Sequence, residues 1–515
     1  MLLNFNPGSI FVPVAFALVS VAFQPLLGPR FGRWADTTQG RLPVILYSCG
    51  LQALTSTAAI VLLACLLLGQ DASSGNNDAI IGGMNSYALS IFALICLCGI
   101  VENTGANILS VAIEKDWLPT VFEGFSGSDD ADADDLTQMN ANMGRIDLCA
   151  EFTGPVIAGL LLSFFDEDTL AGFTCIALTN IVSFVPQYYL LRSIYNGCAR
   201  LRQARDVSEA QAIATAAATM SENSAASSES TALLGTTGSL HACVETPWLK
   251  GWFIWAAHPG GVQLVSCAYA LLYFFSLSPH GIPITAYLAS IGHVPPTKLA
   301  IFRGLGALSG AFGLTVFEIV KKHVGLRRAS LFHIVGEALA VFVACWYFSS
   351  STMIFMVAVI ISRMGLYGFD LGYTELQQRH ISEEHRNVVG QVDSSLTSLF
   401  TTLMYLASLH IDTAEKFESV AWVSAGAVAT AVLIFSLYLV LFHDHTHTHV
   451  EGELEGAGPL HVHTAQAMLA LHKSGMGRHS HVHYAGPSVW FPFGAAPSLG
   501  AHDHDHSHSH DHSHS

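Results

Sequence analysis

Long apolar stretches alternate with short polar ones along most of this chain. A membrane-spanning helix needs about 20 mostly apolar residues. Eleven stretches meet that length, at roughly 9–29, 43–68, 87–113, 147–165, 170–191, 262–289, 298–320, 328–349, 352–375, 391–409 and 419–442. Because backbone polar groups in lipid must hydrogen-bond within their own segment, these stretches predict helices. The pattern therefore predicts an all-α polytopic membrane protein.

Two hydrophilic segments interrupt this pattern. Residues 192–261 separate five apolar stretches from six, and their middle, "ATAAATMSENSAASSESTALLGTTGS", has the composition of a flexible linker. The chain is hydrophilic again from residue 443, which predicts a disordered tail. We therefore expect a first lobe of five spans at 1–191, a cytosolic linker at 192–261, a second lobe of six spans at 262–442 and a tail at 443–515.

Composition supports a membrane protein and excludes other classes. The chain is 51% hydrophobic and 12% charged, whereas soluble globular proteins carry about 25% charged residues. The net charge of −17 is concentrated in "GSDDADADD" (127–135) and near the tail, which makes nucleic acid an improbable partner. The sequence contains no Ser-His-Asp pattern, no nucleotide-binding loop and no His-x-x-x-His on a predicted helix that would indicate an enzyme.

Lysine and arginine predict the orientation of the spans. Every second loop is basic, as in "KKHVGLRR" (321–328), whereas 69–86 has no Lys or Arg. Basic loops face the cytosol, and the tail falls on the same side. Eleven spans would then place Met1 outside, although a plan of six helices in each lobe needs one more helix at the start. We expect that the first helix of a twelve-helix plan is missing from this sequence.

Motifs resemble those of a known transporter family. Two helical lobes joined by a long linker are the plan of the major facilitator superfamily, and "GPRFGRWADTTQGR" (28–41) is similar to its signature loop. Within that superfamily the chain resembles the ferroportins, the cellular iron exporters. The resemblance is carried by "SVAIEKDWLPTV" (110–121), "MNANMGRIDLCAEFTGPVIAG" (139–159) and "SRMGLYGFDLGYTELQQRHISEEHRNVVGQVDSS" (362–395).

The resemblance implies export of ferrous iron from the cytosol by alternating access of the two lobes. It implies a monomer in the lipid bilayer of the plasma membrane or a vacuole, with Fe²⁺ or another divalent metal as substrate and no bound cofactor. Plant relatives move cobalt or nickel into vacuoles, so a broader Co/Ni/Zn transporter is an alternative. A third interpretation is a truncated, non-transporting membrane protein that binds metal.

Several residues are candidates for metal binding. The resemblance places Gln52, Asn180 and Ser183 in a polar cluster of the first lobe. Glu102 and Glu151 are ionisable groups within predicted spans, where they either relay a cation or proton or are structural acids. In the second lobe, the family's Cys and His positions fall on Gly281 and Leu403, so that pair is not carried over.

His280 is the second-lobe candidate ligand. It lies between Pro279 and Pro283, which predict a broken helix of the kind that lines binding sites. Imidazole is a common ligand for divalent transition metals. The alternatives are a structural hydrogen bond or a proton site.

A second set of residues is predicted to form gates between the lobes. Trp34, Asp36, Asp116 and Arg145 match the family motifs, while Glu383 and Arg386 lie at the cytosolic end of the second lobe. Two further pairs are predicted from spacing: Asp147 with Glu151 at i, i+4, as a gate or structural pair, and Arg363 with Asp370 two turns apart, as mutual or gating salt bridges.

The tail carries 17 of the 26 histidines. Eleven of them alternate with Asp, Thr or Ser in two long runs, at His443, His445, His447 and His449, and at His502, His504, His506, His508, His510, His512 and His514. Two shorter clusters are "HVH" (461–463) and "HSHVH" (479–483). Alternating histidines can gather around an ion with broad metal preference, and binding weakens as imidazole protonates near its pKa of about 6.5. We predict that the tail collects or senses metal, the alternative being a low-complexity spacer.

Overall fold

The computed structural model describes residues 11–72, 86–125, 133–164, 169–203, 249–279, 281–290, 292, 294–409, 411, 413–447 and 479–484. The chain divides into two units, Met1–Leu439 and Val440–Ser515. The described part of the first unit is entirely helical, which agrees with the predicted all-α membrane fold. Its helices form two lobes on either side of the linker.

Eight helices belong to the part of the first lobe that the structure describes. They are α1 (Phe11–Ala22), α2 (Gln24–Thr37), α3 (Arg41–Ala72), α4 (Ser86–Val111), α5 (Leu118–Phe125), α6 (Ala133–Phe164), α7 (Thr169–Gly197) and the short α8 (Ala199–Arg202). A π-helical turn at Ala112–Trp117, "AIEKDW", joins α4 to α5. Such turns are frequently found at functional sites.

The second lobe follows the same plan. Its helices are α9 (Lys250–Ala256), α10 (Val262–Leu271), α11 (Ile282–Ser290), α12 (Pro296–Val324), α13 (Leu326–Tyr347), α14 (Thr352–His380), α15 (Arg386–Ser408) and α16 (Ala414–Leu441). A 3-10 turn, Glu383–His385, precedes α15.

Each of the eleven predicted spans coincides with one helix or one helix pair. Seven helices among the described residues are long and apolar enough to cross a membrane, and the pair Val14–Ala22 and Gln24–Thr37, bent by 41°, makes eight. Helices α6 and α15 fall outside this group. Both carry polar residues that contact the opposite lobe, which lowers their hydropathy.

The first span of the second lobe is broken, as the two prolines predict. Helix α10 ends at Leu271 and α11 begins at Ile282. Pro279 and Pro283 cannot donate the backbone hydrogen bonds that a continuous helix requires. Within the break, the N–H of Ser276 donates to Ser424 Oγ of α16 at 3.1 Å. His280 itself lies outside the described residues.

Small residues let the lobes approach closely. A Cβ at Gly32 of α2 would lie 2.7 Å from the carbonyl oxygen of Asn387 in α15. The stretch 304–313, predicted to pack rather than react, behaves as expected: a Cβ at Gly304 would meet the Phe152 ring of α6 at 2.8 Å. The pairs α2–α15 and α6–α12 therefore form the main contacts between the lobes.

The described part of the tail forms a two-stranded antiparallel ribbon. Strand β1 (Phe442–His447) pairs with β2 (His479–Tyr484). The tail was expected to be disordered, so this pairing is a finding that the sequence did not predict. His449 and the predicted ligands from His502 to His514 lie outside the described residues.

Candidate functional site

The first interlobe contact joins the end of α2 to the start of α15. Asp36 accepts the backbone N–H of Val388 and the side-chain amide of Asn387, each at 2.8 Å. The first turn of a helix has unsatisfied N–H groups and the positive end of the helix dipole, which stabilise a carboxylate. Asp36 is thus an N-terminal cap that one lobe supplies to a helix of the other.

Arg41, at the start of α3, connects several elements at this end of the bundle. Its Nε lies 3.3 Å from Asp116 Oδ1 in the π-helical turn, and its guanidinium also donates to Glu383 of the second lobe. Arg200 approaches the same Glu383 carboxylate at 3.9 Å. The side chains of Arg41 and Asp116 are 2% and 1% exposed, so water screens this pair little.

A second group of contacts joins α6 to α12 and α14. The buried Glu375 accepts a hydrogen bond from Thr137 Oγ1 at 2.7 Å and pairs with Lys321 Nζ at 3.0 Å. Lys321 also donates to Thr137, and Arg379 binds Glu375 from one turn further along α14. One carboxylate therefore faces two cations and a hydroxyl from three helices.

Further polar pairs extend this group along α6. Asn140 and Gln378 exchange amide hydrogen bonds of 2.7 and 3.0 Å, and Gln378 also donates to the Glu114 carbonyl at 2.7 Å. Arg145 pairs with Glu318 of α12 at 2.9 Å. We call all these contacts the interlobe polar layer. Its members are Asp36, Arg41, Asp116, Thr137, Asn140 and Arg145 of the first lobe and Glu318, Lys321, Glu375, Gln378, Glu383 and Asn387 of the second.

Four of the predicted gate residues lie in the interlobe polar layer: Asp36, Asp116, Arg145 and Glu383. Trp34 does not join them through its ring, which packs on Phe31 and Tyr47 of its own lobe at centroid distances of 6.4 and 6.5 Å.

Arg386 is buried at the start of α15, next to the residues that Asp36 caps. Asp147 is exposed, and Arg145 binds Glu318 rather than Asp147. Asp147 and Glu151 interact electrostatically, as their spacing predicts.

Arg363 and Asp370, predicted to form mutual or gating salt bridges, interact electrostatically, without a direct ion pair among the contacts of the described residues. Seven helical residues span about 10 Å along the axis, which is too far for direct contact. Arg363 instead lies over the rings of Phe275 and Tyr367, with its Cζ at 6.0 and 5.2 Å from their centroids. Asp370 has its hydrogen-bond partner in Tyr269.

The candidate metal residues of the first lobe meet around the middle of α3. Gln52 Nε2 lies 3.4 Å from Glu102 Oε1 of α4. From α7, Asn180 donates to the carbonyl of Ala53 at 3.2 Å, and Ser183 donates to the carbonyl of Asn180 at 2.8 Å. We call Gln52, Glu102, Asn180 and Ser183 the first-lobe polar cluster. Glu102 of α4 and Asn180 of α7 thus both contact α3, and Ser183 hydrogen-bonds within α7 next to Asn180.

Glu151 belongs elsewhere. It accepts a hydrogen bond from the hydroxyl of Tyr367, in α14 of the second lobe, at 3.2 Å. This contact crosses between the lobes, whereas Glu102 interacts with α3 of its own lobe. The two predicted intramembrane acids are therefore parts of different sites.

The first-lobe polar cluster offers oxygen ligands to a cation. One carboxylate together with amide and hydroxyl oxygens suits hard or borderline divalent ions. Within the described helices, no three His, Cys, Asp or Glu side chains converge on a single point. A single carboxylate with neutral oxygens binds a divalent ion less tightly than a cage of acids. A transport site must also release its ion, and this weaker binding allows the ion to leave.

Sequence reasoning missed several residues of the interlobe polar layer. Lys321 was assigned to a basic loop, yet it lies in α12 and is buried against Glu375. Its position three residues after Glu318, on one helix face, was the available signal. Thr137 and Asn140 gave no signal, because small polar residues near a helix start are ordinary.

Comparison with known proteins identifies the family. The family model described as Ferroportin1 (FPN1) matches residues 1–428. A relative from Bdellovibrio bacteriovorus, "Ferreportin", is 29% identical over 84% of this chain and 88% of its own length.

Solved structures agree in fold. A bacterial homologue of the iron transporter ferroportin, in an outward-facing state, matches with a TM-score of 0.64 and 28% identity over 85% of this chain and 93% of that one. The proton:xylose symporter XylE, a major facilitator superfamily protein, matches with a TM-score of 0.52 and 11% identity over 82% and 85%, which bears on the fold alone. The chain is an integral, multi-pass membrane protein with the major facilitator fold, and it belongs to the ferroportin family.

Proposed function

We propose that this protein exports ferrous iron from the cytosol by alternating access of its two lobes. The observation that carries the proposal is the interlobe polar layer, in which charges from both lobes pair at one end of a ferroportin-family bundle. Such a layer holds one end closed while the other end admits or releases substrate. Transport then requires that the layer break and re-form in each cycle.

The basic residues near the interlobe polar layer favour the cytosolic side of the membrane for it. Arg30, Arg33 and Arg41 flank its first contacts, and Lys321 and Lys322 lie at the other end of it. An excess of Lys and Arg favours the cytosol. With that assignment the described conformation is closed to the cytosol. The tail, which follows α16, would also be cytosolic.

The first-lobe polar cluster is the proposed binding site for the transported ion. Glu102 supplies the one formal charge, and Gln52, Asn180 and Ser183 supply neutral oxygens. His280, which follows Pro279 in the sequence, is the proposed nitrogen ligand of the second lobe. We propose a monomer in the bilayer of the plasma or vacuolar membrane, with the metal as substrate and no resident cofactor.

A broader divalent-metal exporter is the second candidate. It is favoured by Gly281 and Leu403, which stand where the resemblance led us to expect the soft ligands Cys and His. Oxygen ligands discriminate less among Fe²⁺, Co²⁺, Ni²⁺ and Zn²⁺ than thiolate does. The direction of transport is the same in both candidates, and only the choice of ion differs.

The test is efflux of radioactive iron from cells that express the full chain. We expect wild-type cells to lose iron faster than cells with an empty vector, and E102Q to lose most of that difference. E415Q, in the exposed first turn of α16, is the matched control for removal of a carboxylate and should export normally. Competition by unlabelled Co²⁺, Ni²⁺ or Zn²⁺ separates the two candidates. Wild-type efflux equal to the vector would overturn the proposal.

A further inference from the structure

A lysine of the first lobe reaches into the second lobe, and the proposed function does not use it. Lys115 lies in the π-helical turn after α4 and is buried. Its Nζ donates to Thr374 Oγ1 at 3.3 Å and lies 4.7 Å from the centroid of the Tyr373 ring, both in α14. Its stem packs on α15 at Gly390, where a Cβ would lie 3.4 Å from Lys115 Cγ. Lys115 is therefore a cation that one lobe inserts between two helices of the other.

Asp393 of α15 is the buried acid that interacts electrostatically with this cation. One of its oxygens, Oδ2, accepts a hydrogen bond from Gln377 Nε2. The hydroxyls of Ser266 in α10 and Tyr373 in α14 also hydrogen-bond to the carboxylate. We call Ser266, Tyr373, Gln377 and Asp393 the second-lobe oxygen cluster. All four residues belong to the second lobe, so they stay together when the lobes move apart.

Two oxygen atoms of this cluster have no hydrogen-bond partner among the described residues. They are Oδ1 of Asp393 and Oε1 of Gln377, whose side chains are 5% and 2% exposed. Because the Gln377 amide donates to the other carboxylate oxygen, the two unpaired oxygens lie on neighbouring groups. A buried acceptor without a partner is destabilising, and more so when it is charged. A small cation bound by these oxygens would remove that cost.

The cation that acts on Asp393 comes from the opposite lobe. Lys115 interacts also with Asp370, but Asp370 keeps Arg363 of its own helix when the lobes separate. The π-helical turn moves with the first lobe, so opening of the cytosolic end withdraws Lys115 from Asp393. A buried carboxylate without a partner is strongly destabilised. The open arrangement therefore calls for a replacement cation at Asp393.

The chemistry of the second-lobe oxygen cluster suits an alkali cation. It offers a carboxylate, an amide oxygen and hydroxyl groups, and hard cations prefer such ligands. Lys115 supplies one positive charge to Asp393. A monovalent ion keeps that balance, whereas a divalent ion would leave a buried charge uncompensated. Cys267, next to Ser266 in α10, also interacts electrostatically with Asp393, so a thiophilic metal is the rival occupant.

We propose that the second-lobe oxygen cluster binds a monovalent alkali cation while the cytosolic end is open, and that Lys115 displaces this ion when the lobes close. This inference rests on the proposed function only in requiring that the lobes open at that end. The ammonium group of Lys115 acts as a tethered competitor. Because the free ion and Lys115 exclude each other, the free ion favours the open conformation.

Binding of radioactive Na⁺ to the purified full-length protein in nanodiscs tests the site directly. We expect saturable binding that unlabelled Na⁺ or K⁺ displaces and that choline, which is too large, does not. D393N should abolish it. K115M removes the competitor and should tighten the apparent affinity by at least about tenfold, because a site that is open for a fraction of the time binds in proportion to that fraction. K322M, at an exposed lysine of α12, and E415Q are the matched controls and should bind as the wild type does.

Conformation gives a second readout. At equal ionic strength, a thiol reagent added from the cytosolic side should label a cysteine introduced in the interlobe cavity faster in Na⁺ than in choline. D393N should show no difference between the two salts. K115M retains every residue of the second-lobe oxygen cluster, so it tests the inference even if D393N does not fold.

Three results would overturn the inference: no saturable alkali-ion binding, equal Na⁺ affinity of K115M and the wild type, or a labelling rate that does not depend on Na⁺ or K⁺. Displacement of the bound ion by Zn²⁺ but not by K⁺ would likewise overturn it and would indicate a thiophilic metal site that includes Cys267. Normal iron efflux beside any of these results would leave the proposed function intact. Alkali-ion binding without iron efflux would overturn the proposed function alone.

Discussion

The carboxylate of Asp36 accepts the backbone N–H of Val388 at 2.8 Å, so that a residue of the first lobe caps a helix of the second. The two residues are 352 positions apart in the sequence. Their contact exists only while the lobes are closed at this end. Asp36 therefore stabilises one conformation of the protein rather than the fold of either lobe, and its removal should change a conformational equilibrium.

Replacement of Asp36 by Ala should favour opening at the cytosolic end. It removes hydrogen bonds from a charged acceptor, each worth about 1.5–3 kcal/mol, or roughly ten- to a hundredfold in the equilibrium between closed and open lobes. The measurement is the rate at which a thiol reagent added from the cytosolic side labels a cysteine introduced in the interlobe cavity. T37A is the local control, because Thr37 bonds only to carbonyls of its own helix among the contacts described. Equal labelling of D36A and wild type would contradict the capping role.

The buried ion pair of Glu375 and Lys321 yields an asymmetric prediction. Glu375 faces two cations, Lys321 at 3.0 Å and Arg379, so it keeps one cationic partner when Lys321 is replaced. Breaking a buried pair costs about 3–5 kcal/mol because it leaves an uncompensated charge. E375Q should therefore lower the unfolding temperature more than K321M does, and the double variant should recover part of the loss.

Thermal unfolding of purified protein in nanodiscs measures these differences. A matched control is E384Q, which neutralises a carboxyl in the 3-10 turn near the same end of the bundle. The reverse order, with K321M more damaging than E375Q, would mean that Arg379 does not support Glu375 as the geometry indicates.

Much of the fold follows from the sequence because spans and breaks are local properties. An apolar run of about 20 residues predicts a helix by itself, and Pro279 with Pro283 predicted the break that the structure places between Leu271 and Ile282. The interlobe partners did not follow. Arg41 and Glu383 are 342 positions apart, and no local pattern reports which charges meet when two lobes close.

Lys321 illustrates the same limit within one helix. A run of basic residues at a span end reads as a solvated loop, and the orientation rule counts charge without regard to burial. Only the approach of α14 makes Lys321 a buried partner of Glu375. By contrast, the grouping of Gln52, Asn180 and Ser183 came from the family resemblance. Gln52 lies in α3, Asn180 donates to the Ala53 carbonyl of that helix, and Ser183 donates to the Asn180 carbonyl.

Gly32 should tolerate no larger residue. A Cβ there would lie 2.7 Å from the carbonyl oxygen of Asn387 and 2.8 Å from Val388 Cα, which are backbone atoms that cannot rotate away. G32A should therefore force α2 from α15 and reduce iron efflux severalfold. G154A is the matched control, because a Cβ at Gly154 in α6 meets nothing within 4 Å and replaces a poor helix former by a good one. Efflux by G32A equal to that by G154A would show that this contact does not matter for transport.

The register of the tail ribbon bears on its proposed metal binding. Strands β1 and β2 align three pairs of histidines, His443 with His483, His445 with His481 and His447 with His479. Positions two apart on a strand share a face, so all six occupy one face of the ribbon. An isolated two-stranded ribbon is marginally stable in water, and a shared ion would stabilise it. The histidines of β1 and those of β2, more than thirty residues apart in the sequence, should therefore act as one site rather than two.

Triple variants test whether the site is shared. Replacement by Asn of the three histidines on β1, or of the three on β2, should each lower the Zn²⁺ affinity of the full-length protein by at least about tenfold, or 1.4 kcal/mol. If both strands hold the same ion, the variant that lacks all six histidines should have nearly the same Zn²⁺ affinity as either triple variant. Two independent sites would instead give additive losses in stoichiometry. The matched control replaces His461 and His463, a His-Val-His run between the strands, and should leave this affinity unchanged. Chelator competition measures the affinity, and additive losses would contradict the ribbon as a single metal site.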